Sequence, residues 1–210
     1  MFYDIGTPKH DREGRCITLE FDTFFVVGVY VPNSGATMKW LDYRTKEWDL
    51  DFRAYMKGLE GKGKPVIIAG DMNVAHMDAD CYDPKRHEQT GCFLPIERQS
   101  FSNFLRMGYL DTFRLLHPDA IKYTFFDIRD KSRKENKGMR IDYILCSTWL
   151  KPRVLEAEIH EEYWGSDHLP VHITVDLDDI DLEKFRLEQG VDDPELGKKE
   201  PVPIECEVAH

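Results

Sequence analysis

Lys64-Pro-Val-Ile-Ile-Ala-Gly-Asp-Met-Asn73 decides how the chain is read. Val66 to Ala69 is a short apolar run rich in β-branched residues, bounded by Pro65 and Gly70. It reads as a buried strand, although a run this short also suits a helix core. Asp71 and Asn73 follow it two residues apart, so on an extended chain both side chains leave the same face. A carboxylate can take a proton from water and an amide can donate to a phosphoryl oxygen, which together suit reaction on a phosphate. Turn chemistry is an equally ordinary reason for Asp and Asn at a strand end.

Working outward, Leu41, Trp48, Phe52, Tyr55, Met56 and Leu59 fall on one helical stripe, with charges on the other side. Gly61-Lys-Gly-Lys-Pro65 then leads into the strand, and helix followed by strand is an α/β signal. Upstream, Cys16 to Phe21 and Phe24 to Val31 alternate around Asp22-Thr23, which predicts a hairpin. Tyr30 and Asn33 then lie at a strand end and in the loop Pro32-Asn-Ser-Gly35. Downstream, Val74 to Phe93 has no period and reads as a long loop; its His76, Asp78, Asp80, His87 and Cys92 match no structural metal-site spacing. Leu94 to Met107 reads as a second helix with Pro95 in its first turn. Asp130 to Lys137, with Lys131, Arg133, Lys134 and Lys137, is the most basic patch, suited to phosphate contact or simply to solvation.

Arg140-Ile-Asp-Tyr-Ile-Leu145 reads as a further buried strand, and Asp142 inside it is costly unless paired. Gly165-Ser-Asp-His168 precedes an alternating strand from Leu169 to Leu177. Beyond Asp178 the sequence is acidic, with Pro194, Pro201 and Pro203, and is expected to be largely disordered. The chain therefore divides into a body, residues 1–177, and a tail, residues 178–210.

Of the net charge of −11, a net of −8 lies between Asp176 and His210, leaving −3 for residues 1–175. The overall sign argues against a simple nucleic-acid binder, yet a nearly neutral body leaves room for a local basic groove. No apolar stretch approaches membrane-spanning length. Five scattered cysteines without CxxC spacing suit reduced thiols in an intracellular protein.

Asp71/Asn73, Asp142, Asp167/His168 and Tyr30 thus stand at separate strand ends, which a layered α/β fold can bring to one crevice. An Asp beside a His can hold the imidazole protonated toward a phosphate. At this point the chain resembles the exonuclease III-type apurinic/apyrimidinic (AP) endonucleases of the endonuclease/exonuclease/phosphatase superfamily. The resemblance rests on Tyr30-Val-Pro-Asn-Ser-Gly35, Gly70-Asp-Met-Asn-Val-Ala-His76, Tyr123-Thr-Phe-Phe126, Arg140-Ile-Asp-Tyr143 and Gly165-Ser-Asp-His168, in the family's order from about His10 to Leu177.

The resemblance implies a two-sheet α/β sandwich of the DNase I-like kind. It implies Mg²⁺-dependent cleavage 5′ to abasic sites in double-stranded DNA for base-excision repair, with 3′–5′ exonuclease and 3′-phosphodiesterase action, and Mn²⁺ as a substitute ion. By match, Asp71 would activate the attacking water. Asn73, Asn33, Tyr30 and His168 would hold the phosphate, and Asp142 would buttress His168. Metal ligands would be Asp71, Asn73, Asp167 and His168. Phe125, Met139 and Ile141 would form the apolar pocket for the base-free sugar, Arg129 would wedge into the duplex, and Arg140 would join the substrate contacts. A complete chain would be a monomer, nuclear by resemblance or otherwise cytoplasmic.

The sequence departs from the family at its start: the Asn-x-Asn-Gly and Gln-Glu motifs that open that fold, the second carrying a metal carboxylate, do not occur. The expectation is an N-terminally incomplete sandwich with impaired metal binding. Two alternatives stand beside the nuclease: a phosphatase or phosphodiesterase of the same superfamily, and an inactive DNA-binding remnant.

Overall fold

Alternation along the run around Ile68 sets the layers. The computed structural model describes residues 1–127 and 131–191. It contains a six-stranded sheet, in spatial order β1 (Phe2–Tyr3), β2 (Cys16–Glu20), β3 (Phe25–Tyr30), β4 (Val66–Asp71), β6 (Asp142–Ser147) and β5 (Tyr109–Asp111). Within this sheet β3 and β4 run parallel and the other neighbours antiparallel. A second, antiparallel sheet holds β7 (Val154–Ile159) and β8 (Val171–Val175).

Successive residues of a strand face opposite ways. Val66 and Ile68 of β4, with Tyr143 and Leu145 of β6, therefore pack under helices through Trp48, Phe52, Met56, Phe101 and Phe104. Their neighbours Ile67, Ile144 and Cys146 point the other way and meet Val154, Ile173 and Val175 of the small sheet. This is the two-sheet α/β arrangement that the resemblance implies, with the core on both faces of β4 and β6.

The first helical stripe is realised as α1 (Leu41–Tyr43), a π-helical turn (Arg44–Trp48) and α2 (Asp49–Glu60). α3 (Pro84–His87) is a single turn in the long loop, and α4 (Pro95–Arg106) is the second expected helix. α5 (Thr112–Leu116) starts on the Asp111 side chain, which accepts from the backbone N–H of Arg114. Pairing made β7 a strand: the sequence around Val154 carries no signal strong enough to announce it, and β8 supplies its partner.

The expected disorder beyond Asp178 requires correction where the chain is described. α6 (Leu182–Gln189) buries Phe185 completely, edge-on to Trp149 at 5.5 Å between ring centroids. One aromatic finding a partner outweighs the acidic composition around it. Residues 192–210 lie outside the described residues.

Candidate active site

The ends of β3, β4 and β6 meet at one edge. Tyr30 is the register partner of Asp71, and Asp71 that of Asp142. Gly70 makes this approach close: its φ is +153°, and a Cβ there would fall 1.8 Å from the carbonyl oxygen of Val29. Only glycine fits where two backbones come so near.

His168 enters from the turn before β8. The Tyr123–Phe126 segment holds that turn in place: Phe126 N–H donates to Asp167 O at 2.9 Å, and Leu169 N–H to Thr124 O at 2.7 Å. The Thr124 hydroxyl accepts from the backbone N–H groups of Ile141 and Asp142, 3.0 Å each, so one segment fixes both acidic strand and histidine turn. His168 Nδ1 then lies 2.8 Å from an Asp142 carboxylate oxygen. That hydrogen bond raises the His168 pKa above its usual value against the opposing effect of burial. Burial, and next the like charge of Asp142, push the Asp71 carboxyl up to about 6. The Asn73 N–H, 2.7 Å from Asp71 Oδ1, works in the opposite direction and orients that oxygen.

Asn73 has a positive φ of 48° and is buried. Its carboxamide donates to Val31 O at 2.9 Å and accepts from Asn33 Nδ2 at 2.8 Å, leaving one amide hydrogen for a further acceptor. Asn33 is exposed; its second amide hydrogen rests on the Cys92 thiol at 3.3 Å, a weak acceptor that a phosphate oxygen could replace. Tyr30 is 52% exposed, with the Arg15 guanidinium over its ring.

Sequence reasoning missed the support beneath this edge. Arg44 is buried, and its guanidinium donates to Asn73 O at 2.6 Å, Met72 O at 2.7 Å and Pro32 O at 3.2 Å. It thereby ties the Asp71–Asn73 strand end to the Asn33 loop. Its counter-charge is Glu97, 3.8 Å away and fully buried, which also accepts from the Ser34 hydroxyl at 2.5 Å and the Leu94 N–H at 3.2 Å. An arginine on a helical stripe reads as a surface cation, so its sequence carried no signal. Glu97, three residues after Leu94 with Pro95 at the first helical position, did carry one, that of a helix start.

Other expected residues are placed differently from one another. Phe125 and Met139 pair through their backbones and line a cavity of about 320 Å³ with Tyr82, Arg86 and His87. The Phe125 ring lies 5.1 Å from that of His168. Ile141 is buried beneath them in a cluster with Cys81 and Phe93, so it supports the wall rather than forming it. Arg140 requires correction as a substrate contact: it is 1% exposed, bonded to Asp80 at 2.8 and 3.1 Å and to Asp111 at 2.6 and 3.2 Å. Its side chain turns into the core, where two carboxylates answer its charge. Arg129 lies outside the described residues. His76 bonds the Ser102 hydroxyl at 2.8 Å, and Asp80 is held by Arg140 and Arg114, so these two loop residues serve the scaffold.

Among the described residues one group has ligand atoms gathered as a cation would need: Asp71, Asp142 and His168, all within 4.8 Å of one another. Asp142, expected to buttress His168, belongs to this group; Asp167 lies beside it, its backbone carbonyl accepting from the Phe126 N–H and the residue lining a neighbouring groove. Two carboxylates opposed across a strand pair, one with its pKa driven up, are a donor set whose repulsion a divalent cation relieves. The residues present therefore fit a metal ion.

Residues 2–168 match the Endonuclease/Exonuclease/phosphatase family. The chain is 45% identical over 170 residues to "DNA repair nuclease APEX1" of Danio rerio, covering 80% of this chain and 54% of that protein. It is 44% identical over 178 residues to "DNA-(apurinic or apyrimidinic site) endonuclease" of Dictyostelium discoideum, covering 83% and 49%. The chain spans about half the length of these two curated relatives. The crystal structure of AP endonuclease LMAP from Leishmania major superposes with a TM-score of 0.73 at 31% identity, over 79% of this chain and 56% of that one. Strand-end carboxylates, a histidine locked to one of them and a match running through both place this chain in the endonuclease/exonuclease/phosphatase family.

Proposed function

We propose that this chain carries the catalytic edge of an AP endonuclease, hydrolysing the phosphodiester 5′ to an abasic site in double-stranded DNA, with 3′-exonuclease and 3′-phosphodiesterase action on strand ends. The observation that carries this reading is the meeting of Asp71, Asp142 and His168 within 4.8 Å. Asp71, with its pKa near 6, is mostly ionised at neutral pH yet basic enough to accept a proton from the attacking water. His168, kept protonated by Asp142, donates to a phosphoryl oxygen as negative charge builds there. Asn33 and Tyr30 flank the same edge and hold the phosphate. The water oxygen bonds to phosphorus while the phosphorus–oxygen bond to the upstream sugar breaks, and the departing 3′-oxygen takes a proton from solvent to become a hydroxyl.

Mg²⁺ held by Asp71 and Asp142, with substrate oxygens and water completing its shell, would neutralise charge on the phosphate. Mn²⁺ suits the same carboxylate oxygens. Phe125 and Met139 offer an apolar wall beside His168 that suits a sugar without its base. Cys16, Cys81, Cys92 and Cys146 are free and buried, which suits a reducing compartment, nucleus or cytoplasm. No helix among the described residues is long and apolar enough to cross a membrane.

The test is incision of a duplex with one abasic site in Mg²⁺, beside an intact duplex and a small phosphomonoester. Internal incision confined to the abasic strand is expected, with any loss from the intact duplex limited to its 3′ ends. Turnover of the phosphomonoester alone would replace this reading by a phosphatase, and duplex binding without turnover by an inactive binder.

A further inference from the structure

Beside the catalytic edge runs a groove of about 570 Å³ that the reaction described above leaves unused; it is lined by Phe126, Lys131, Arg133, Lys134 and Trp164 and reaches Ser166 and Asp167, next to His168. Its volume lies within the range of about 300–1,000 Å³ common for small-molecule sites. Trp164 is 69% exposed, an unusual cost for an indole. It is nonetheless held. The Arg133 guanidinium stacks on it 3.8 Å from the ring centroid, and Arg133 is itself fixed by the backbone carbonyls of Glu161, at 3.0 Å, and Tyr163. A second cavity, of about 390 Å³, shares Phe126, Arg133, Lys134 and Trp164, so the indole stands between two open spaces. Lys131 and Lys134 have no ion-pair partner among the described residues. Asp127 and Asp167 also line the groove, so three cations face two carboxylates.

We propose that this groove is a nucleotide subsite, in which one unpaired base of a DNA strand stacks on Trp164 while its flanking phosphates meet Lys131 and Lys134. An indole face and nearby ammonium groups are the two recognition elements for single-stranded nucleic acid. A base inside a duplex is already stacked and gains nothing from the indole; a frayed or extruded base gains a platform. The subsite would hold the strand leading into the Asp71–His168 edge and favour ends and lesions over intact duplex. It rests on reading that edge as a phosphodiester site.

The test is binding of a short single-stranded oligothymidylate to the full chain in EDTA, followed by tryptophan emission. Quenching is expected for the unaltered chain and for Asp71→Asn. Trp164→Ala should lose the quench and weaken binding about tenfold, and Trp164→Phe should restore most of the affinity. Lys131→Gln with Lys134→Gln should lower the slope of log K against log salt by about 0.7 for each phosphate no longer neutralised. Because Trp164 is exposed, these changes leave the core intact. Quenched binding without abasic cleavage would keep the subsite and remove the nuclease. Cleavage with equal oligonucleotide affinity for Trp164→Ala and the unaltered chain would remove the subsite and keep the nuclease.

Discussion

Asp71 and Asp142 stand directly opposite each other across β4 and β6, two carboxylates at one register position of an antiparallel pair. Like charges so placed repel. The chain tolerates the pair because His168 answers Asp142 at 2.8 Å, while Asp71 is left to carry a pKa of about 6.

Asp71→Asn separates activity from stability. Removing the base should lower the rate of abasic-site cleavage by about 10²–10⁴-fold. The sign for stability is opposite. A carboxyl whose pKa rises from 3.8 to about 6 on folding favours the folded state below pH 4 and loses that contribution as pH climbs through 6. At pH 7.5 without metal the substitution should therefore stabilise by about 2–3 kcal/mol, read from urea unfolding. Unchanged cleavage, or lower stability at pH 7.5, would refute the role.

The pH profile follows from the same pair. In the metal-free chain Asp71 should titrate at about 6; in Mg²⁺, whose charge keeps Asp71 ionised, activity should fall on the alkaline side as His168 loses its proton. The His168 proton is held chiefly by the hydrogen bond to Asp142, so Asp142→Asn should bring the alkaline limb to lower pH. An NMR titration of the His168 ring checks this directly; an unmoved midpoint in Asp142→Asn counts against it.

Arg44→Lys tests the clamp under the site. An ammonium cannot reproduce a planar fork donating to Pro32, Met72 and Asn73 carbonyls. Cleavage should fall at least tenfold through kcat, with KM little changed, because the displaced group is the strand end carrying Asp71. A proportionate rise in KM alone would instead make Arg44 a contributor to substrate affinity.

Arg140→Met should destabilise by about 3–5 kcal/mol, since Asp111 would stay buried without its cation and Asp80 would keep only Arg114. Chemical denaturation measures it. A variant that folds normally but binds DNA weakly would return Arg140 to the substrate contacts.

Cooperative pairing explains which parts were readable in advance. The run Val66 to Ala69, the stripe from Trp48 to Leu59 and the helix begun at Pro95 are local patterns, and each forms where its period places it. α6 escaped because composition averages over a segment, whereas a single Phe185 against Trp149 suffices to dock it. Arg140 and Ile141 were placed by their motif at a substrate surface, but the chain leading into β6 is covered on both faces, so both side chains are buried.

By itself the sequence determined which side chains can do chemistry: a carboxylate and an amide closing a buried strand, an acid within another strand, and a histidine in a small-residue turn. Asp142 was visible because a carboxylate inside a buried strand is costly without a partner; Asp71, Asn73 and His168 stood where turn chemistry alone also places such residues. Tertiary structure alone decided that the strand ends bring ligand atoms of Asp71, Asp142 and His168 within 4.8 Å of one another, and that Arg44 holds the floor. The reason is physical: register between β4 and β6 is set by side-chain burial on both faces of the sheet, a property of the whole packed core that no single segment contains.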